Sequence, residues 1–396
     1  MNKSFLFALL GVVVVIFAGC VAPSTPTPTP TVPAPTTPAT EESTIPLPEP
    51  ISTGESVELC LNSRYSEHGI AGTATDQQLS NVLWAAGKAP ITGTFRKIYV
   101  ATPDGTYLYN PDTNSLTWYS NEVVDRGAFV LSFDAELNFD AGLSYMPAIL
   151  ASVSQWGTSG PSVSNCPVRT KLYFGVQGVR GLTSELVAHC SLPETDEGWL
   201  PDPKTLGGDT IETVLANLRY TDNFNQTNLT KQQISQILWA GYGCTPHSVA
   251  TGRKGITVPS AVAAYYLTQT IYLVNENGVN RYHNRNPDKD LTTRDHRLEG
   301  IKTGDVRAGL RSAVDGLGQA PCYVVLCLDS AAAGQGFARL EAGFVASNML
   351  IQATAMDLGC YFKTKLTSSE QQAIQSTTGI PSSHIPQAVV SLGKPK

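Results

Sequence analysis

The sequence predicts an α+β protein in which one mixed helix-and-strand unit occurs twice in tandem. Three observations carry that expectation. RYSEHGIAGTATDQQLSNVLW (64–84) and RYTDNFNQTNLTKQQISQILW (219–239) share an Arg-Tyr start, a polar loop, a helix ending in Leu-Trp-Ala, and the same 20-residue step from Arg to Trp. IYVATPDG (98–105) and IYLVNENG (271–278) repeat a strand that runs into a turn. DAGLSYMPAILASVSQWG (140–157) and EAGFVASNMLIQATAMDLG (341–359) repeat a long buried helix. A period this long marks a duplicated domain and not a solenoid, whose repeats are roughly 20–50 residues. The offset between copies grows from 155 at the Arg to 173 at the strand. Copy two therefore carries 18 additional residues between Trp239 and Ile271, among them GRKGITVPSA.

Taken in order, residues 1–20 read as an export signal. One positive charge in Met-Asn-Lys-Ser precedes FLFALLGVVVVIFAG, a run short for a spanning helix that ends in small residues. Ala18-Gly19-Cys20 resembles the lipobox of prokaryotic lipoproteins, whose Cys becomes the acylated first residue; the alternative is an uncleaved signal anchor. Either way the chain is expected outside the cytoplasm, tethered to the cell membrane. Residues 21–51 hold ten of the 26 prolines. Proline fixes the backbone and removes donors, so this Pro/Thr-rich stretch is expected as a disordered, extended linker. At roughly 3 Å per residue it reaches about 90 Å.

Copy one (52–198) starts with a short helix, SVELCLNSRYS, followed by the helix DQQLSNVLWAAG with Leu79, Val82 and Leu83 at helical spacing. RKIYVAT and TYLYNP form a hairpin around Pro-Asp-Gly. AGLSYMPAILASVSQWG is the long helix, and VAHCSLP a closing strand. PETDEGWLPDPKTLGG links the copies. Copy two (208–396) repeats the order with IETVLANLRYT, KQQISQILWAGYG, the hairpin QTIYLVN–NGVNRYHN, the strand PCYVVLCLD, the long helix, and a final strand PQAVVSLGKP.

Composition excludes some functions. A net charge of -6 without a basic run argues against nucleic acid as a partner. Asn225-Gln-Thr and Asn228-Leu-Thr are glycosylation sequons in a polar loop, as suits an exported surface. Besides Cys20 there are cysteines at 60, 166, 190, 244, 322, 327 and 360, an odd number, and they lack zinc-site spacing. They read as buried small hydrophobes with one or two bridges at most. His189 and Cys190 are adjacent in a predicted strand, so they point to opposite faces and cannot form a dyad. No metal ligand set and no nucleophile motif is visible.

Four segments of copy two, in order, carry a family resemblance. They are the Arg after the first helix (LANLRYT), the helix ISQILWAGYG, the Pro-Ser-Ala that follows a basic loop (GRKGITVPSA), and the helix EAGFVASNMLIQATAMDLG; the terminal LGKP completes them. Residues 210–396 thereby resemble the FMN-dependent nitroreductase family, in the branch related to the dehydrogenases that form azoles in modified peptides. Copy one shows a weaker version over 55–195. The family works as a homodimer that binds FMN at the subunit interface. The resemblance therefore implies two tandem nitroreductase-like domains, the first degenerate, forming an intrachain pseudo-dimer in a monomeric chain.

Its residue assignments follow the same route. Arg219 matches the phosphate-binding Arg, as guanidinium suits phosphate, and Thr221 adds a hydroxyl. Read without the family, Arg219 is a surface Arg closing a helix C-terminus. Pro259 and Ser260 match the ring-contacting Pro-Ser, and Gly359 a backbone position near the flavin. Lys394 stands where the family has a basic residue after its last strand, with Lys396 as a substitute. Departures matter: the usual Arg-Arg-Ser is Ser63-Arg64-Tyr65 in copy one and Leu218-Arg219-Tyr220 in copy two. Copy one has no Pro-Ser. Because the family's Pro-Ser loop faces the Arg of the other subunit, Ser260 is expected beside Arg64, and Arg219 opposite a copy without that loop. At most one FMN per chain, or none, is the expectation.

Two functions follow. The first is a membrane-tethered FMN oxidoreductase exchanging hydride with a small-molecule substrate through flavin N5, with an electron donor other than cytoplasmic NAD(P)H. The alternative is a flavin-free, inactive binding or structural module at the cell surface.

Overall fold

The structure, a computed structural model, describes residues 44–66, 72–156, 163–164, 170–174, 198–248, 254–260, 264–285 and 294–396. The export signal, Cys20, most of the Pro/Thr-rich linker, the strand expected at VAHCSLP, and His189 with Cys190 lie outside the described residues.

The first half contains β1 (Thr44–Pro46), α1 (Val57–Ser63), α2 (Asp76–Lys88), β2 (Arg96–Thr102) and β3 (Gly105–Asn110). β4 (Ser115–Ser120), β5 (Phe129–Ala135), α3 (Asn138–Trp156), β6 (Val163–Ser164) and β7 (Thr170–Phe174) follow. The second half runs α4 (Ile211–Ala216), α5 (Lys231–Tyr242), β8 (Cys244–Ser248), β9 (Lys254–Ile256), β10 (Ile271–Asn275) and β11 (Gly278–Arg285). It continues with β12 (Arg294–Thr303), α6 (Arg307–Ala313), β13 (Cys322–Asp329), α7 (Gly336–Ala355), β14 (Gly359–Lys363), α8 (Ser368–Thr378) and β15 (His384–Gly393). Beyond the elements marked by sequence pattern, the fold adds β1, β4, β5, β6, β7, β12, β14, α6, α8 and the short β8–β9 hairpin; β1 lies in the stretch expected as a disordered linker.

Both large sheets are antiparallel. The first has the order β1-β4-β3-β2-β5-β7-β6 and the second β12-β11-β10-β13-β15-β14. Without the edge strands β1, β6 and β14 the two orders coincide, strand for strand, so the repeat seen in the sequence is also a repeat of topology. Local chemistry repeats too. Thr75 and Thr230 cap α2 and α5 in the same way. Each side chain accepts from the N–H of the Gln three residues on (Gln78, Gln233), whose side chain accepts from the Thr N–H.

The two halves meet along α3 and α7. Gly142 and Gly343 stand at the same place in DAG and EAG, and they touch. A Cβ on Gly142 would lie 2.2 Å from the Leu340 carbonyl oxygen and 2.9 Å from Gly343 Cα, and a Cβ on Gly343 would lie 2.2 Å from the Phe139 oxygen. Only a residue without a side chain permits that approach. Pro147 lies inside α3 and has no N–H, which leaves the Leu143 carbonyl without its helical donor. Ser347 of α7 supplies one, its Oγ donating to Leu143 O at 2.9 Å.

One contiguous apolar core takes in α1, α2, α3 and β2–β5 of the first half together with α4, α5, α7, β10, β13 and β15 of the second. A second layer, α6 and α8, covers the far face of the second sheet, with Leu310, Val314 and Ile374 against Tyr272, Val274, Tyr323 and Val325. The described cysteines (60, 244, 322, 327 and 360) are buried and unbridged. Among the described residues no helix is long and apolar enough to cross a membrane.

Candidate functional site between the two halves

Arg64 closes α1, and its side chain runs out of the first half beneath a loop of the second. Its Nη2 donates to the carbonyls of Ile256 at 2.8 Å and Val258 at 3.0 Å. Nη1 lies 3.5 Å from Ser66 Oγ, while Nε is buried without a partner. Burial lowers this guanidinium to about 10, with Tyr265 pulling it back up. The loop it holds owes its course to the residues after α5. There the chain turns through β8 and β9, Thr257 N–H donates to Gly243 O, and Asn348 Nδ2 of α7 donates to Thr257 O at 3.3 Å.

Pro259 is buried and Ser260 half-buried. Ser260 Oγ donates to Glu341 Oε2 at 2.5 Å and accepts from the N–H of Tyr265 at 2.7 Å. Tyr242 Oη donates to Glu341 Oε1 at 2.5 Å and accepts from Leu267 N–H at 3.1 Å. Glu341 is fully buried, and burial pushes its carboxyl up to about 7 although Ser260, Tyr242 and the N–H groups of Tyr266 and Leu267 all favour its charged form. Tyr265 sits at φ +53°, a region most side chains avoid. His247 lies nearby, its Nδ1 2.9 Å from Thr245 Oγ1 and its ring edge-on to Tyr65.

The remaining predicted residues form a separate set. Thr221 N–H donates to Cys360 O and Cys360 N–H to Arg219 O, so the segment after α4 runs beside the start of β14. Arg219 Nη2 meets Asp357 Oδ1 at 2.5 Å, with side chains 39% and 81% exposed, a surface pair that water screens strongly. Thr221 Oγ1 accepts from Asn223 N–H. A Cβ on Gly359 would meet Thr221 Cγ2 at 2.8 Å, Pro395 Cγ at 3.0 Å and Phe224 at 3.2 Å. The close approach at Gly359 is thus made by the chain's own side chains. Lys394 is exposed, and its carbonyl accepts from Asn225 N–H. Lys396 is exposed as well. Of the sequons, Asn225 is half-buried and Asn228 exposed, with its Oδ1 accepting from Arg307 Nη1.

The structure therefore sets Arg64 against the Ile256 and Val258 carbonyls, in the segment that leads into Pro259 and Ser260, and places Arg219, Thr221, Gly359 and Lys394 together elsewhere. Copy one, which lacks Pro-Ser in sequence, has a smaller counterpart of that loop. Asp140, at the place of Glu341, accepts from Thr92 N–H, Thr92 Oγ1 and Gly93 N–H. Pro147 stands where α7 has Asn348, so this half has no equivalent donor. Glu341, Tyr242 and Asn348 were missed as site residues; the one signal for them was the acid preserved in DAG and EAG. Among the described residues no His/Cys/Asp/Glu cluster suits a metal. A buried guanidinium with an unpartnered N–H suits the holding of an anionic group, whereas the Ser260 hydroxyl and the Glu341 carboxyl are engaged with each other. The orphaned Arg64 Nε is what a phosphate-bearing cofactor would satisfy.

Residues 221–394 match the sequence profile of the Nitroreductase family. A protein of Anabaena variabilis ATCC 29413 classed as a nitroreductase superposes with a TM-score of 0.59 at 15% identity, covering 90% of this chain and 94% of that one. That likeness concerns the fold and runs through both halves. A nitroreductase-classed protein of Ralstonia eutropha JMP134 is 21% identical over 54% of this chain and 96% of its own, with a TM-score of 0.41. The E. coli microcin synthetase McbBCD, solved with truncated pro-MccB17 bound, reaches 0.34 at 19% identity, over 44% of this chain and 67% of that one. No curated protein matches the sequence.

Proposed function

We propose, from the match of residues 221–394 to the Nitroreductase family, that the chain is an exported, membrane-tethered flavin oxidoreductase that binds at most one FMN, in a groove between its halves. The observation that carries this reading is the contact of Arg64 from the first half with the Ile256 and Val258 carbonyls of the second, beside Ser260. Two tandem units then serve as one intrachain pseudo-dimer, with no second chain required. Bound FMN would supply hydride exchange with a small molecule at its N5. The protein's part is to bind and orient. Arg64 Nε–H would donate to the FMN phosphate, Pro259 and Ser260 would lie beside the flavin ring, and Glu341 holds Ser260 in place. Acylation at Cys20 would tether the chain, and the Pro/Thr-rich linker would hold the groove away from the membrane.

A flavin-free binding module is the second reading, favoured by the commitment of Arg64 Nη2 to two carbonyls and of Arg219 to Asp357. Colour decides between them. Protein lacking residues 1–50 is expected to purify yellow, or to take up added FMN to one per chain; a colourless protein that takes up none sinks the oxidoreductase reading. Arg64→Ala is expected to abolish flavin retention, whereas Arg219→Ala leaves it in place. The reverse result would move the flavin to the Arg219 set.

A further inference from the structure

We propose that Glu341 is the positioning residue of the Arg64–Ser260 site, its carboxylate fixing residues 256–260 and 264–267 from the crossing of the two long helices. What the site holds follows the flavin reading above; the clamp itself does not depend on it.

The loop is gripped from two sides. From the first half, Arg64 Nη2 takes the Ile256 and Val258 carbonyls. From within the second half, Glu341 takes the hydroxyls of Ser260 and Tyr242, and Tyr242 Oη in turn accepts from Leu267 N–H. Directly and through Tyr242, one carboxylate thus engages the loop at residues 260 and 267 and the end of α5. Without it, Ser260 Oγ loses its acceptor, and its own hold on Tyr265 N–H at 2.7 Å loosens. That matters because Tyr265 is held at φ +53°, a conformation that persists only where its surroundings enforce it.

Placement supports the same role. Glu341 lies two residues before Gly343, whose backbone touches Gly142 of the other half. The carboxyl is therefore anchored on a helix, beside a close backbone contact between the two halves, and side chains on such elements position sites better than side chains on loops. Copy one repeats the device at reduced scale. Asp140, shorter by one methylene, grips the shorter loop at Thr92 and Gly93 through the same kind of donors. An acid recurring at this place in both halves, each time on the loop beside the interface, reads as a loop clamp and not as a stray buried charge.

The test is amide hydrogen–deuterium exchange in the full chain without its export signal, first free of flavin. In Glu341→Gln and in Ser260→Ala, exchange over 256–260 and 264–267 is expected to rise about tenfold or more, the loss of one hydrogen bond's worth of protection. β10 and β13 should remain as protected as in the parent. Ser260→Thr, which keeps the hydroxyl, should restore protection. With FMN added, Glu341→Gln should shift the visible circular dichroism and midpoint potential of the bound flavin, which a merely structural residue would leave alone. Should Glu341→Gln fail to fold, Ser260→Ala and Ser260→Thr carry the comparison. Parent-like exchange over 256–260 and 264–267 in the variants would overturn the clamp, whatever the flavin does. A parent protein that binds no FMN, yet loses protection in both variants, would retire the flavin reading and leave the clamp standing.

Discussion

Arg64 and Arg219 begin the same Arg-Tyr string and end in opposite environments. One is buried under carbonyls of the other half, and the other is half-exposed against Asp357. Nothing in either string distinguishes them, because what an interfacial side chain meets is set by the partner half. The approach of Arg64 to the loop that ends in Ser260 was legible only through the family resemblance of the two copies, in which that loop faces the Arg of the other subunit. Glu341 was illegible as a site residue, since an acid inside an apolar helix shows its donors only once the chain has folded. Its burial has a measurable consequence. The folded carboxyl is pushed up to about 7 from an ordinary 4.5. Between those values the folded chain holds a proton that the unfolded chain has lost. The contribution is therefore fully present below pH 4.5 and is lost as pH rises through 7, a span of about 3 kcal/mol. Thermal midpoints measured from pH 5 to 8 are expected to fall with pH in the parent and to run flatter in Glu341→Gln. Parallel slopes would mean that another group titrates.

Among the elements, the helices with apolar periodicity were readable, and their repetition strengthened each reading. α8 was not. Within it only Ile374 and Thr378 are buried, so periodicity is weak, although Thr367 and Glu370 form a reciprocal cap that the sequence displays. β12 hid because its residues are largely polar, and α6 because seven residues are too few to show a period. The α3–α7 crossing makes the sharpest prediction at this scale. Ser347→Ala leaves the Leu143 carbonyl buried without a donor and should cost about 1–3 kcal/mol in chemical denaturation. In a Pro147→Ala background the restored N–H can serve that carbonyl, so the same change should cost less; equal costs in both backgrounds would refute the exchange. Gly343→Ala forces a Cβ to within 2.2 Å of the Phe139 oxygen and should destabilise by about 1–3 kcal/mol or more.

At the scale of the molecule, a core shared by both halves implies shared folding. Protein lacking residues 1–50 is expected to elute as a monomer and to unfold in one transition. Residues 208–396 alone would expose the α7 face that α3 covers, and should dimerise or aggregate on size exclusion. A monomeric, cooperatively folding fragment would contradict a single core. The repeated hairpin and long helix were the parts of this architecture best foreshadowed by the sequence; the common strand order was not, since β4, β5 and β12 carried no pattern that marked them. The layer of α6 and α8, without a counterpart among the described residues of the first half, was the part least foreshadowed.

Pro147 and Asn348 occupy equivalent places on the two long helices, and they could differ only in a chain of this kind. In an assembly of identical subunits every substitution arrives twice, so a proline in the long helix would also have removed the amide that steadies the opposite loop. Joined end to end, the halves inherit changes singly. One could accept a helix-breaking residue, repaired by a hydroxyl from its neighbour, while the other kept its loop. The linkage thus makes the two copies of one surface separately adjustable, and proline facing asparagine at equivalent places is one such difference between them.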